Sequence, residues 1–131
     1  MKDSNNYVIS EYLCKSLFCS CGKEHSTGLR HFILSEGAIG EIPVLMERGG
    51  YRKAFIVCDE NTCTAAGEEV LQCIRSAGLN ALMYIIPEHE VVPDERTIVG
   101  ILIAFEPDCD LVIAVGAGTI NDICKFISYK L

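Results

Sequence analysis

Apolar positions along this chain change spacing several times. Ile39, Ile42, Leu45 and Met46 recur at helical spacing, and Gly49-Gly50 stops them. Just before them, His31–Leu34 is a short strand candidate. Lys53–Cys58, KAFIVC, is a short apolar run that predicts a buried strand. Ala66, Val70, Cys73, Ile74 and Ala77 restore the helical period. Gly78 then fits the C′ position, where left-handed backbone is cheapest for glycine. Ala81–Ile86 predicts another strand. Pro93-Asp94 opens a helix, with Pro suited to its first turn and Asp to capping, and Ile98, Ile101, Leu102 and Phe105 form its stripe. EPDCD is a turn, Leu111–Val115 a strand, and Ile120, Ile123, Cys124, Ile127 and Leu131 share one face of a last helix.

Strands that alternate with helices and are apolar on both faces imply an α/β fold: a parallel sheet with helices on both faces. At 131 residues, half of them hydrophobic, the chain is about one domain with enough apolar surface for a core. Residues 1–29 fit this scheme least. They are polar and cysteine-rich, so they are set apart from a domain over 30–131. The last helix carries no stop signal, since FISYKL has neither Gly nor Pro. That, with a mean hydropathy of +0.28, suggests the front part of something longer, with a face meant to be covered.

The net charge of −7 argues against a dedicated nucleic-acid binder. It leaves open a small anion held by backbone N–H groups. No stretch approaches 18 uninterrupted apolar residues, so no membrane span is expected. The start, MKDSNNYVIS, lacks the apolar run of a secretory signal, which points to the cytoplasm and reduced thiols. Cys58, Cys73, Cys109 and Cys124 then read as small core fillers.

The chemistry concentrates at two strand ends. Gly116-Ala117-Gly118 follows the last strand and precedes a helix. Missing side chains let a pyrophosphate approach, a helix N-terminus offers unpaired N–H groups, and Thr119 adds a hydroxyl. As a dinucleotide fingerprint the match is poor. Asn121 stands at the third glycine position, the turn follows a late strand, and the acid expected about 20 residues on would fall beyond Leu131. A tight turn without a ligand is the competing reading. FIVCDENT ends its strand at Asp59, whose carboxylate suits ribose hydroxyls or, equally, capping of a helix that begins near Thr62, which Asn61 could also cap.

FIVCDENT, PDERTI and DLVIAVGAGTINDICKFISYK, at these separations, together resemble one family. It is the glycerol-1-phosphate dehydrogenase branch of the iron-containing alcohol dehydrogenase and glycerol dehydrogenase superfamily. Gly116, Gly118, Thr119, Asp122 and Lys125 match the superfamily's Gly-Gly-Gly-Ser/Thr-x-x-Asp-x-x-Lys turn, with Ala117 at its central glycine. The resemblance implies a Rossmann-like nucleotide-binding domain, without the helical second domain that holds a divalent metal (Zn, Ni or Fe) through an Asp and two His. It implies NAD or NADP as cofactor, with Asp59 on the adenosine ribose. Gly116, Ala117, Gly118, Thr119 and Ile120 would surround the pyrophosphate, and Asp122 would lie toward the nicotinamide. Asp122 also reads as first-turn dipole compensation, and Lys125 as a solvated helix residue.

By that resemblance the parent enzyme belongs to phospholipid metabolism. It interconverts dihydroxyacetone phosphate and sn-glycerol 1-phosphate, a small phosphorylated substrate, and a homo-oligomer is left open. The chain alone would bind the cofactor without catalysing. Two other readings stand beside this one. The first is a fragment of another glycerol or alcohol dehydrogenase, or of a dehydroquinate-synthase-like enzyme. The second is a stand-alone nucleotide-binding domain.

CKSLFCSCGKEH gathers Cys14, Cys19, Cys21 and His25, the soft ligand types zinc prefers. The C-x-C step is less usual than C-x₂-C, so a loop with reduced thiols competes with a structural zinc. His31 and His89 are isolated and read as surface or structural residues.

Overall fold

The structure, a computed structural model, describes residues 13–131. The polar start MKDSNNYVIS, read as lacking a secretory signal, lies outside the described residues. Two compact units divide the chain, Met1–Ala38 and Ile39–Leu131, and each is described by itself.

The larger unit is built around strand β3 (Lys53–Asp59), apolar without a break from Ala54 to Cys58. Residues Ala54 to Cys58 are completely buried. β3 pairs in parallel with β4 (Asn80–Ile86) on one side and β5 (Leu111–Ala114) on the other, giving the order β4-β3-β5. Its side chains alternate between two layers. Phe55 and Val57 enter one core with Ile101, Ile120, Ile123 and Ile127; Ala54 and Ile56 enter the other with Met46, Val70 and Ile74. Helices therefore cover both faces, which is why no polar residue interrupts the strand.

Helix α1 (Ile42–Gly49) follows a 3₁₀ turn over Ala38–Glu41, so Ile39 lies ahead of the helix proper. Pro43 sits in its first turn, where the missing N–H is not needed. Gly50 ends it at φ 76° with its N–H on the Glu47 carbonyl. The helix expected near Thr62 begins earlier, directly off β3. It runs as α2 (Glu60–Thr62), a π-type segment (Cys63–Gly67) and α3 (Glu68–Ser76). At Gly67 a Cβ would stand 3.4 Å from the Cys58 sulfur and 3.6 Å from that of Met83, ordinary contact distances that show how closely this segment lies on the sheet. Gly78 follows α3 at φ 79°, as its C′ position requires.

Helix α4 (Glu95–Ala104) is capped by Asp94, whose Oδ1 accepts the Thr97 N–H at 2.8 Å. Pro93 therefore precedes the cap instead of occupying the first turn. Helix α5 (Gly118–Lys130) buries Ile120, Ile123, Cys124 and Ile127. Leu131 does not join that face; it lies beyond the helix and is 57% exposed.

Of the four cysteines expected in the core, Cys58, Cys109 and Cys124 are buried, while Cys73 is only half-buried, its thiol 3.6 Å from the Ile39 carbonyl. Burial pushes the Cys58 thiol up to about 12 and that of Cys124 up to about 11.

In the smaller unit, β1 (Ser16–Phe18) and β2 (Glu24–Ser26) form an antiparallel hairpin. No residue from 13 to 38 is buried. The strand expected at His31–Leu34 does not form: no ladder partner lies beside it among the described residues, and Leu34 is 87% exposed. An apolar run without a hydrogen-bonding neighbour has nothing to hold it extended.

Candidate functional site

The strand order decides where the helices go. The chain leaves β3 into α3, on the Ala54/Ile56 layer, and leaves β5 into α5, on the Phe55/Val57 layer. Adjacent parallel strands thus send their helices to opposite faces, the arrangement in which α/β proteins bind ligands at the carboxyl ends of the strands. The ladder pairs Val57 with Ala114, and the Val115 N–H continues it to the Val57 carbonyl at 2.9 Å. Asp59 and Gly116 therefore leave the sheet as neighbours.

Asp59 is the N-cap of α2. Its Oδ1 accepts from the Thr62 N–H at 2.7 Å and the Thr62 hydroxyl at 3.0 Å, while the Asp59 N–H donates to Thr62 Oγ1. Oδ2 takes no part in these bonds. The two roles weighed for Asp59 are thus compatible, one oxygen for each. Thr62 is the partner that the sequence reading passed over, although the Asp-x-x-Thr spacing announces it.

The two glycines of the turn do different things. A Cβ on Gly116 would stand 2.5 Å from Ile120 Cδ1 and 3.1 Å from its Cβ, so glycine is needed for α5 to start so tightly. A Cβ on Gly118 would meet nothing within 4 Å; it would point into open space. Ala117, extended at φ −76° and ψ −173°, is the N-cap, and its side chain caps nothing. Its carbonyl receives the first bond of the helix, from the Asn121 N–H at 3.2 Å. Asp carboxylates cap α2 and α4, whereas the first-turn N–H groups of α5 have no side-chain cap. Thr119 is half-buried there and Ile120 buried.

Asp122 lies in the second turn, so it is not the first-turn compensation that one reading gave it; that turn holds no acid. It is exposed and 3.5 Å from Lys125 Nζ, a pair of about 0.5 kcal/mol at most.

The opposite end of the sheet is closed by charge. Asp110 accepts the Arg52 and Lys53 N–H groups, and Lys53 Nζ bonds to Glu106 and Asp108. These donors hold the Asp108 and Asp110 carboxyls below their ordinary range.

In the hairpin, Cys19, Cys21 and His25 bring their ligand atoms within 4.8 Å of one another. Cys14 is not among them; its sulfur lies 3.6 Å from the Leu29 carbonyl. Among the described residues no other such group of His, Cys, Asp and Glu forms.

Residues 33–131 match the family model for iron-containing alcohol dehydrogenases. The glycerol-1-phosphate dehydrogenase [NAD(P)+] of Bacillus velezensis is 37% identical over 105 residues, 78% of this chain and 27% of that protein. That of Geobacillus stearothermophilus is 28% identical over 130 residues, 96% of this chain and 32% of that protein. The chain thus spans about a third of the length of these curated relatives or less. Among solved structures, an alcohol dehydrogenase from Oenococcus oeni superposes with TM-score 0.59 at 25% identity, over 68% of this chain and 24% of its own. The NADH-dependent butanol dehydrogenase A of Thermotoga maritima does so with TM-score 0.57 at 17% identity, over 74% of this chain and 27% of its own, and speaks for the fold alone.

Proposed function

We propose a function from one premise: the chain belongs to the iron-containing alcohol dehydrogenase family. On that premise it supplies the NAD(P)-binding part of a glycerol-1-phosphate dehydrogenase. Such an enzyme interconverts dihydroxyacetone phosphate and sn-glycerol 1-phosphate by hydride transfer. The observation that carries this reading is the uncapped start of α5, open in front of Gly118 and flanked by Asp59.

The nucleotide, when bound, supplies the hydride acceptor or donor. The chain's own residues bind and orient it. N–H groups of Gly118, Thr119 and Ile120 face the pyrophosphate oxygens, helped by the positive end of the helix dipole. Gly116 sets the tight turn, and Ala117 keeps the cap position free of a competing acceptor. Asp59 Oδ2 accepts from the ribose hydroxyls while Thr62 steadies Oδ1. Its negative charge favours NAD over a nucleotide with a 2′-phosphate. Asp122, one turn into α5, faces the nicotinamide side of the cleft.

The family's metal needs an Asp and two His, and the described residues bring no such set together. Catalysis is assigned to the longer enzyme, and a cytoplasmic location and a small phosphorylated substrate go with that assignment.

Titration with NADH and NADPH tests the site. Gly118→Val fills only open space, so it leaves the melting temperature unchanged and weakens NADH tenfold or more. Unchanged binding would refute the cradle. Asp59→Asn keeps an acceptor for the Thr62 N–H. It should weaken NADH about tenfold, the worth of a charge-assisted hydrogen bond, and NADPH less. Equal losses would remove the ribose role.

A further inference from the structure

We infer that the hairpin of the smaller unit is a metal site of its own. It binds one zinc-class divalent ion through Cys19 Sγ, Cys21 Sγ and His25 Nε2, with the fourth tetrahedral position open to water.

The hairpin places these atoms. Side chains on a strand alternate, so Cys19, two positions after Leu17, emerges on the Leu17 side of the ribbon. His25 pairs with Leu17 across the ladder and shares that side. The turn returns the third ligand. The Gly22 N–H bonds the Cys19 carbonyl at 3.0 Å, and the Cys19 N–H bonds the Lys23 carbonyl at 3.0 Å. Gly22 itself takes φ 79°, which few other residues tolerate. This brings Cys21 Sγ to 3.1 Å from His25 Nε2 and the Cys21 N–H to 3.5 Å from Cys19 Sγ.

A further observation points to a metal rather than to idle thiols. Among the described residues the hairpin lacks what normally holds two strands together. Each strand has three residues, all are exposed, and Phe18 is 86% exposed. A two-stranded ribbon without an apolar face is marginal in water, and small units of this kind use a metal as a staple. Two thiolates and an imidazole suit zinc among the available divalent ions. Binding takes the ion from solution and releases protons from the thiols, with no redox change.

The test uses the whole chain, kept reduced. Zinc is titrated against a competing chelator, and cobalt is substituted for it. The expected result is one ion per chain, thiolate-to-cobalt charge transfer, and visible bands of a tetrahedral ion. Cys19→Ser, Cys21→Ser and His25→Ala each weaken binding at least tenfold, and Cys14→Ser leaves it unchanged. Zinc also slows amide exchange over residues 16–26. All these side chains are exposed, so circular dichroism of the variants should match the wild type. Binding that survives both Cys19→Ser and Cys21→Ser overturns the site, as does none at all. Loss in Cys14→Ser overturns the open fourth position by making Cys14 a ligand.

Discussion

The two units are held by different means. In Ile39–Leu131, five consecutive buried residues of β3 meet helices from both sides, and apolar burial fixes everything else. From residue 13 to Ala38 nothing is buried, and the shape rests on a glycine turn, backbone bonds and three heteroatoms. Hydrophobic periodicity is therefore informative in the first and nearly silent in the second. Chemistry-bearing residues also behave differently. In the larger unit the scaffold brings Asp59 and Gly116 out side by side at the carboxyl ends of β3 and β5, while in the hairpin Cys19, Cys21 and His25 stand on or beside the turn itself.

Five measurements probe this contrast. The largest effect is expected at Phe55, which is fully buried and meets Phe105 edge-on at 5.3 Å. Phe55→Ala should lower the unfolding free energy by about 3–5 kcal/mol in denaturant. A loss below about 1 kcal/mol would deny burial its role. Next come the glycines of the turn. Gly116→Ala forces a Cβ against Ile120 and should cost about 1–3 kcal/mol. Gly118→Ala should stay within about 0.5 kcal/mol, because its space is empty and surface changes of this kind are small. Equal costs would mean that the open space in front of α5 is not there.

Asp94→Ala removes the α4 cap and should cost about 1 kcal/mol, read as a lower thermal midpoint. The carboxyls of Asp94, Asp108 and Asp110 are held low in the fold, by the Thr97 N–H, the Lys53 ammonium, and the Lys53 and Arg52 N–H groups. Their contribution is present above an unfolded pKa of about 3.9 and is lost as pH falls through the lower folded values. Lys53 is raised instead, so its share is present below about 10.4 and lost as pH rises through its higher folded value. Melting curves should thus be flat in between, for these groups, and fall on both sides. The smallest effect is one of rate. With a chelator present at pH 8, an alkylating reagent should modify Cys14, Cys19 and Cys21 first, leaving buried Cys58 and Cys124 protected. Fast modification of Cys58 would contradict the closed layer over β3.

The legible parts of the fold were those written in apolar spacing. Lys53–Cys58, Ala81–Ile86 and Leu111–Val115 each lie within a residue or so of an observed strand, and Gly50 and Gly78 take the left-handed turns expected of them. The failures have local causes. His31–Leu34 carries strand composition but no partner, and composition cannot supply one. Leu131 follows the helical period beyond the point where the helix has a layer to face. At the site, the glycine turn and Asp59 were visible as residue types. The different duties of Gly116 and Gly118 were not, because they depend on where Ile120 folds back. The bonds between Asp59 and Thr62 were hidden for a similar reason: an N-cap is a geometry before it is a sequence.

The strand order also bears on how the chain comes together in time. The first strand of the parallel sheet in sequence is the middle one in space. Ala54 must wait for Ala81 on one flank and Leu111 on the other. Neither pairing can start from a local hairpin, so loop closure precedes any reward, and folding should be slow for the unit's size. During synthesis β3 leaves the ribosome before β4 and β5, and both of its edges stay uncovered until they follow. Its unbroken apolar run, the source of the finished unit's stability, is then its most aggregation-prone segment.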